Sequence, residues 1–169
     1  MATAFTALRA AASFPAFQGK GGGTVQCAYG SATFDTDVTL AAALTVSYCK
    51  IPPNATVIGG YVMGPDVDSG TETLDFDIGW VSASAPTCHA GTTLNATDTD
   101  GFGNLGVIAG DVVADFKPVA SIYVPFQGVL FTEGPLTFAD GATITGIYNA
   151  DANATGTGTM TFVVLYTTP

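Results

Sequence analysis

Across Leu74-Asp75-Phe76-Asp77-Ile78-Gly79-Trp80 every second side chain is large and apolar, and those between are Asp or Gly. Only a strand satisfies a period of two, because its successive side chains point to opposite faces, whereas a helix would spread the same residues around all its sides. The pattern predicts Leu74, Phe76, Ile78 and Trp80 facing inward, with Asp75 and Asp77 on a solvated outer face. A slip of one residue would bury both carboxylates, so the register is fixed. The same period runs from Val38 to Tyr48, with Val38, Leu40, Ala42, Leu44, Val46 and Tyr48 on one side and mostly small or hydroxylic residues on the other.

A further strand is expected at Val57 to Met63, between the turns Pro52-Pro53-Asn54 and Gly64-Pro65-Asp66, since proline cannot donate to a ladder. The tail predicts a hairpin: Ala142 to Tyr148, a polar loop over Asn149 to Gly158, then Thr159 to Tyr166. Weaker strand signals lie at Thr24 to Tyr29, Leu105 to Ile108, Ala120 to Val124 and Val129 to Phe131. Many short strands with turn signals between them, and no helical segments separating them, predict an all-β sandwich or barrel. Residues 1–23 read differently. They are rich in Ala, Ser and Gly, carry Phe5, Phe14 and Phe17, and close on Gly19-Lys20-Gly21-Gly22-Gly23. That composition predicts an N-terminal arm and glycine hinge ahead of a single domain over 24–169.

The chain has 14 acidic against 4 basic residues, a formal net charge of -10, so its field repels phosphates and excludes nucleic acid as a partner. Only 11% of residues are charged, against about 25% in average soluble proteins, which leaves a surface built largely of Thr, Ser, Ala, Gly and Asn. No apolar run approaches the ~20 residues that cross a bilayer as a helix, so no membrane partner is expected. Arg9 falls where the apolar part of a secretory leader would lie, and secretion by that route is not expected. Cys27, Cys49 and Cys88 are odd in number and widely spaced, which predicts small buried thiols rather than a disulfide framework.

Residues able to carry chemistry are few. His89, the sole histidine, stands beside Cys88 between Pro86 and Gly91, but no nucleophile motif accompanies it and the pair reads as a loop. A zinc site from Cys27, Cys49, Cys88 and His89 lacks the short paired spacings of structural zinc motifs. Asp98-Thr99-Asp100-Gly101-Phe102-Gly103-Asn104 has the oxygen-rich, glycine-bent character of a calcium loop but lacks its distal bidentate glutamate, and a turn is the expectation. Asp66, Asp68, Glu72, Asp75 and Asp77 form the densest acidic cluster, which in a hydrolase could supply paired carboxylates but fits the solvated side of a strand better. Asn54, Asn95 and Asn153 each begin an Asn-Ala-Thr triplet, the glycosylation acceptor pattern, and read as turns. No catalytic residue, metal or cofactor is assigned.

Several segments together resemble the capsid decoration, or cement, proteins of tailed bacteriophages. They are Leu40 to Leu44 running on to Ile51-Pro52-Pro53-Asn54-Ala55-Thr56-Val57-Ile58-Gly59-Gly60, then Asp68 to Gly79, Asn95-Ala96-Thr97-Asp98-Thr99-Asp100, and the closing Gly156 to Tyr166. The resemblance spans most of Val38 to Tyr166 and rests on turn and strand patterns. It implies a single antiparallel β-sandwich of jelly-roll type that binds the exterior of an assembled shell as a dimer or trimer, with the major capsid protein as partner and no catalytic residues. The location implied is the virion, after synthesis in the host cytoplasm. The arm is then expected to anchor the protein, with Phe5, Phe14 and Phe17 as apolar anchors and Arg9 and Lys20 meeting acids of the shell. A carbohydrate-binding sandwich and a head-fibre or adhesin subunit share the strand pattern and stand as the alternatives.

Overall fold

The computed structural model describes residues 4–6, 24–34, 42–65, 75–107, 122–149 and 157–169. They form β1 (Ala4–Thr6), β2 (Gln26–Phe34), β3 (Leu44–Ile51), β4 (Ala55–Gly64), β5 (Asp75–Val81), β6 (Thr87–Cys88), β7 (Thr97–Val107) and β8 (Ile122–Pro125). A helical turn, α1 (Val129–Thr132), precedes β9 (Leu136–Phe138), β10 (Ala142–Tyr148) and β11 (Gly158–Thr167). Sheet I has the order β1-β3-β10-β5-β7 and sheet II the order β2-β11-β4-β9-β6, with β8 alongside β4. Among the described residues all pairings are antiparallel except that of β1, which runs parallel to β3 with Phe5 opposite Val46.

Setting aside β1, β6 and β8, the chain folds back on itself in nested pairs: β2 with β11, β3 with β10, β4 with β9 and β5 with β7. Those pairs alternate between the two sheets, so one long hairpin is rolled around a shared core. This is the jelly-roll arrangement. The chain is an all-β sandwich of two antiparallel sheets.

The core is aromatic and both sheets contribute to it. Tyr48 of β3 stacks on Phe162 of β11 with ring centroids 3.7 Å apart, and Phe76 of β5 meets both Tyr148 at 4.8 Å and Phe162 at 5.8 Å. Towards the other end Trp80 lies 4.8 Å from Phe102 and 5.6 Å from Phe138, and Phe102 stacks on Phe126 at 5.1 Å. Rings of this size bury more area per residue than aliphatic side chains, which suits a core lined by short strands. Two hydroxyls are buried with them: Tyr48 Oη lies 3.2 Å from Tyr148 Oη, which in turn donates to Met160 Sδ at 3.3 Å. Burial pushes both phenols above the ordinary value of 10.0, and at Tyr48 the neighbouring Tyr148 adds to the rise.

Where the sheets converge, β2 alternates without a break and turns Gln26, Ala28, Gly30, Ala32 and Phe34 inward. Most of these are small because β3 lies against them. A Cβ on Gly30 would sit 1.8 Å from the carbonyl oxygen of Tyr48. That carbonyl belongs to the bulge at Tyr48 and Cys49, where the register with β10 shifts between Ile144 and Thr145.

Four expectations are corrected here. The alternating run from Val38 to Tyr48 is not one strand: 38–41 lie outside the described residues, Ala42 and Ala43 form a turn with φ 66 at Ala43, and β3 begins at Leu44. Ala-rich alternation carries little apolar weight, so the turn interrupts it at small cost. The tail strands occur where expected, but they are not a hairpin, since β10 pairs with β3 and β5 while β11 pairs with β2 and β4. Both strands carry an apolar inner row, and placing them in opposite sheets buries both rows in one core. Val129 to Phe131 is helical rather than extended, closed by Thr132 N–H donating to Gly128 O and Glu133 N–H to Val129 O. Asp77 points away from the core as expected but is not solvated: it is buried, and the Asn149 side-chain amide donates to its Oδ2. Leu74 lies outside the described residues, while Phe76, Ile78 and Trp80 are fully buried as alternation requires.

Two stability measurements check this packing. Gly30→Ala drives a methyl into the β3 backbone and should cost about 1–3 kcal/mol or more in urea unfolding, whereas Gly59→Ala meets nothing within 4 Å and should change little. Equal costs would mean that the sheets do not converge at Gly30. The buried phenols stay protonated in the folded chain while their unfolded counterparts ionise near 10, so their contribution to stability should be flat below that pH and fall above it. Each tyrosine held neutral contributes a slope of about 1.4 kcal/mol per pH unit, and Tyr48→Phe should make the alkaline loss shallower.

Candidate interaction surfaces

Among the described residues, those singled out for chemistry do not converge on one centre. Cys88 turns inward with its Sγ 3.7 Å from Glu133 Oε2, while His89 is exposed in the following turn, its backbone N–H donating to Pro135 O. Neighbouring residues on opposite sides of the chain cannot form a thiol–imidazole pair. Cys49 is buried in β3, and Cys27 is exposed on β2, against the expectation that all three are buried; each of the three is a thiol. Among the described residues no group of three or more His, Cys, Asp or Glu is placed to hold a metal. Asp66, Asp68, Glu72 and Asn153 lie outside the described residues, as do Arg9, Phe14, Phe17 and Lys20. Phe5 is described through its backbone in β1.

Asp98 to Asn104 is not a turn. It is part of β7, in which Ile78 pairs with Gly103 but Trp80 pairs with Asp98, so the intervening residues bulge out opposite Gly79. The bulge swings Phe102 into the core and leaves Asp98 and Asp100 side by side. Partial burial, then the hydrogen bond and repulsion from Asp100, raise the Asp98 carboxyl above its usual 3.8. Asn54 occupies a turn with φ 60, and Asn95 lies in a loop, its carbonyl accepting the Trp80 indole N–H at 3.1 Å. Because Trp80 is fully buried, it offers no platform for a sugar ring. An open groove of about 270 Å³ lies between Lys50, Pro53, Val81, Ser82, Asp140 and Thr143, and no aromatic ring lines it.

Among the described strands charge is segregated by sheet. Sheet I carries Lys50, Asp75, Asp77, Asp98 and Asp100 within its strands, whereas no strand of sheet II contains Asp, Glu, Lys or Arg. Across the outer face of sheet II run hydroxyl ladders, Ser31 to Thr161 at 2.8 Å, Thr33 to Thr159 at 2.9 Å and Thr56 to Thr137 at 2.9 Å. Between them lies an apolar row in which Val163 of β11 is flanked by Tyr29 of β2 and Tyr61 of β4. Val163 is only 8% exposed although it points outward, while Tyr29 is 45% and Met63 41% exposed. Sequence reasoning did not single out this face, although the lack of charges in Gln26–Phe34, Ala55–Gly64 and Gly158–Thr167 was visible. Phe131, 89% exposed on α1, was also missed as a surface residue.

No family model and no curated protein matches the chain. Solved structures do share its fold. A chain in the capsid of Ralstonia phage GP4 superposes with a TM-score of 0.70 at 16% identity, covering 99% of both chains. One in the cyanophage Pam1 capsid asymmetric unit gives 0.60 at 20% identity over 94% of this chain and 95% of that one. One in the acidic stable capsid of the Helicobacter pylori bacteriophage KHP30 gives 0.56 at 13% identity over 88% and 90%. At such identities the likeness establishes a common fold.

The acidic pair on β7 has a measurable signature. Because the folded carboxyl of Asp98 holds its proton to higher pH than an unfolded one, ionising it costs stability as pH rises through and beyond 3.8. Asp98→Asn should therefore raise the melting temperature at neutral pH, and the gain should vanish in acid, below the unfolded value. A melting temperature lowered at neutral pH would show that the carboxylate is instead held by favourable partners.

Proposed function

We propose that this chain is a non-enzymatic structural protein of a virion, which decorates the exterior of a tailed-phage capsid and stabilises it by binding between capsomers. Its partner is the major capsid protein, and it acts as a dimer or trimer. The observation that carries the reading is likeness of fold, over 88% to 99% of this chain, to chains from three phage capsids. A decorating protein acts through mass action: whatever binds the assembled shell and not its separated subunits raises the free energy of disassembly. Faces poor in charge suit that work, because burying them strips few ions of water.

Docking is assigned to the arm over 1–23, with Phe5, Phe14 and Phe17 as apolar anchors. Arg9 and Lys20, two of the chain's 4 basic residues, pair with acids of the shell. The arm is where a chain of net charge -10 concentrates positive charge, so it is the part best suited to approach an acidic partner.

The test is to add the purified full chain to mature, undecorated shells and to follow both binding and resistance to heat or chaotrope. Bound shells should disassemble at higher temperature than bare ones. Phe14→Ser with Phe17→Ser, or Arg9→Glu with Lys20→Glu, should weaken binding by roughly tenfold or more while leaving the melting of the free protein unchanged. Failure to bind mature shells, or binding without added resistance, would overturn the decoration reading. Normal binding by both arm variants would remove the arm assignment alone.

A further inference from the structure

We infer that the uncharged outer face of sheet II is a self-recognition surface, on which two copies of the chain pack face to face. The inference rests on the proposed dimer or trimer and assigns the face that builds it, and because it is tested in solution without any shell its failure is distinguishable from failure of the decoration reading.

Charge selects the occupant. Two chains that each carry a net charge of -10 repel one another over most approaches. The described strands that offer no charge are those of sheet II, so two like chains can bring these strands together without opposing the carboxylates that the strands of sheet I carry. A cationic partner would instead be drawn to the acidic side, where sheet I carries Asp98 and Asp100.

The pattern on the face is also complementary to itself. Its central row reads Tyr29, Val163, Tyr61 across β2, β11 and β4, and the next row reads Cys27, Leu165, Gly59. A twofold axis lying along β11, midway between two packed faces, sets Tyr29 against Tyr61 of the partner subunit and Val163 against the partner's Val163. Every contact is then made twice, as an isologous interface requires. The exposed Cys27 meets the partner's Gly59, so a small residue lies opposite a thiol without crowding.

The area is sufficient. Four strand widths at about 4.8 Å and nine residues at about 3.3 Å span roughly 20 by 30 Å. That is about 600 Å² on each copy and about 1,200 Å² in total, at the lower bound for a specific contact. Tyrosines at its centre supply the kind of residue that dominates binding energy.

Sedimentation equilibrium of the full chain, run from low to high micromolar concentration, tests the assignment. A monomer–dimer equilibrium is expected, and it should tighten as salt is raised, since screening removes the residual repulsion and no ion pair is lost. Tyr29→Glu and Tyr61→Lys should each weaken dimerisation by roughly tenfold or more, and mixing the two variants should restore it by setting Glu against Lys. Thr143→Lys, on the outer face of sheet I, should leave it unchanged. If either tyrosine variant melts below the parent, Thr161→Lys on the same face replaces it. A strictly monomeric chain would overturn the inference, as would a dimer indifferent to these substitutions or one that loosens with salt. A monomer that instead binds a polysaccharide through Tyr29 would reassign the face to a glycan.

Discussion

Tyr48 and Phe162 come from different sheets, and their rings stack 3.7 Å apart at the centre of the molecule. The contact fixes the spacing of the sandwich. With Phe76, Tyr148 and Phe126 grouped around it, the two sheets are held by one continuous aromatic layer rather than by separate aliphatic clusters. Such a layer gains dispersion along its length, but it tolerates no displacement of one sheet against the other. The requirement propagates outward. At the near edge it demands glycine where β2 crosses β3, and at the far edge it demands the β7 bulge that feeds Phe102 in beside Trp80.

Much of this was legible in the sequence, because burial on one face writes a period of two into strands such as β2 and β5, though not into β4 or the bulged β7. Phe76, Ile78 and Trp80 obey it, and the bounds of β10 follow from Ala142 to Tyr148 directly. What the period cannot say is which strand pairs with which. The tail looked like a hairpin because consecutive antiparallel strands usually are one, yet β10 and β11 belong to different sheets. Nor does alternation separate an outward residue from a solvated one. Asp77 and Thr145 both point away from the core and are both buried.

The interaction surface was legible in a different sense. Composition announced a weakly charged exterior, but not that the charges of the described strands would all fall in one sheet. That sorting follows from topology, since β2, β4 and β11 are far apart in the chain and become neighbours only through the nested pairing. Of the arm, Ala4–Thr6 pairs with β3, while Arg9, Phe14, Phe17 and Lys20 are distinguished by composition alone.

The nested pairing also sets an order of events during synthesis. Ser31 and Thr161 are hydrogen-bonded across 130 positions of sequence, and β11 lies between β2 and β4, joining them into one sheet. Until Gly158 to Thr167 has left the ribosome, β2 and β4 lack the strand that unites them, and each presents an edge able to pair with any other nascent chain. Contacts this distant close slowly, because the loop entropy must be overcome before any of them forms. A cell making many copies at once would therefore meet its greatest hazard in the interval between the first strand and the last, when the uncharged strands are already present and unsheltered.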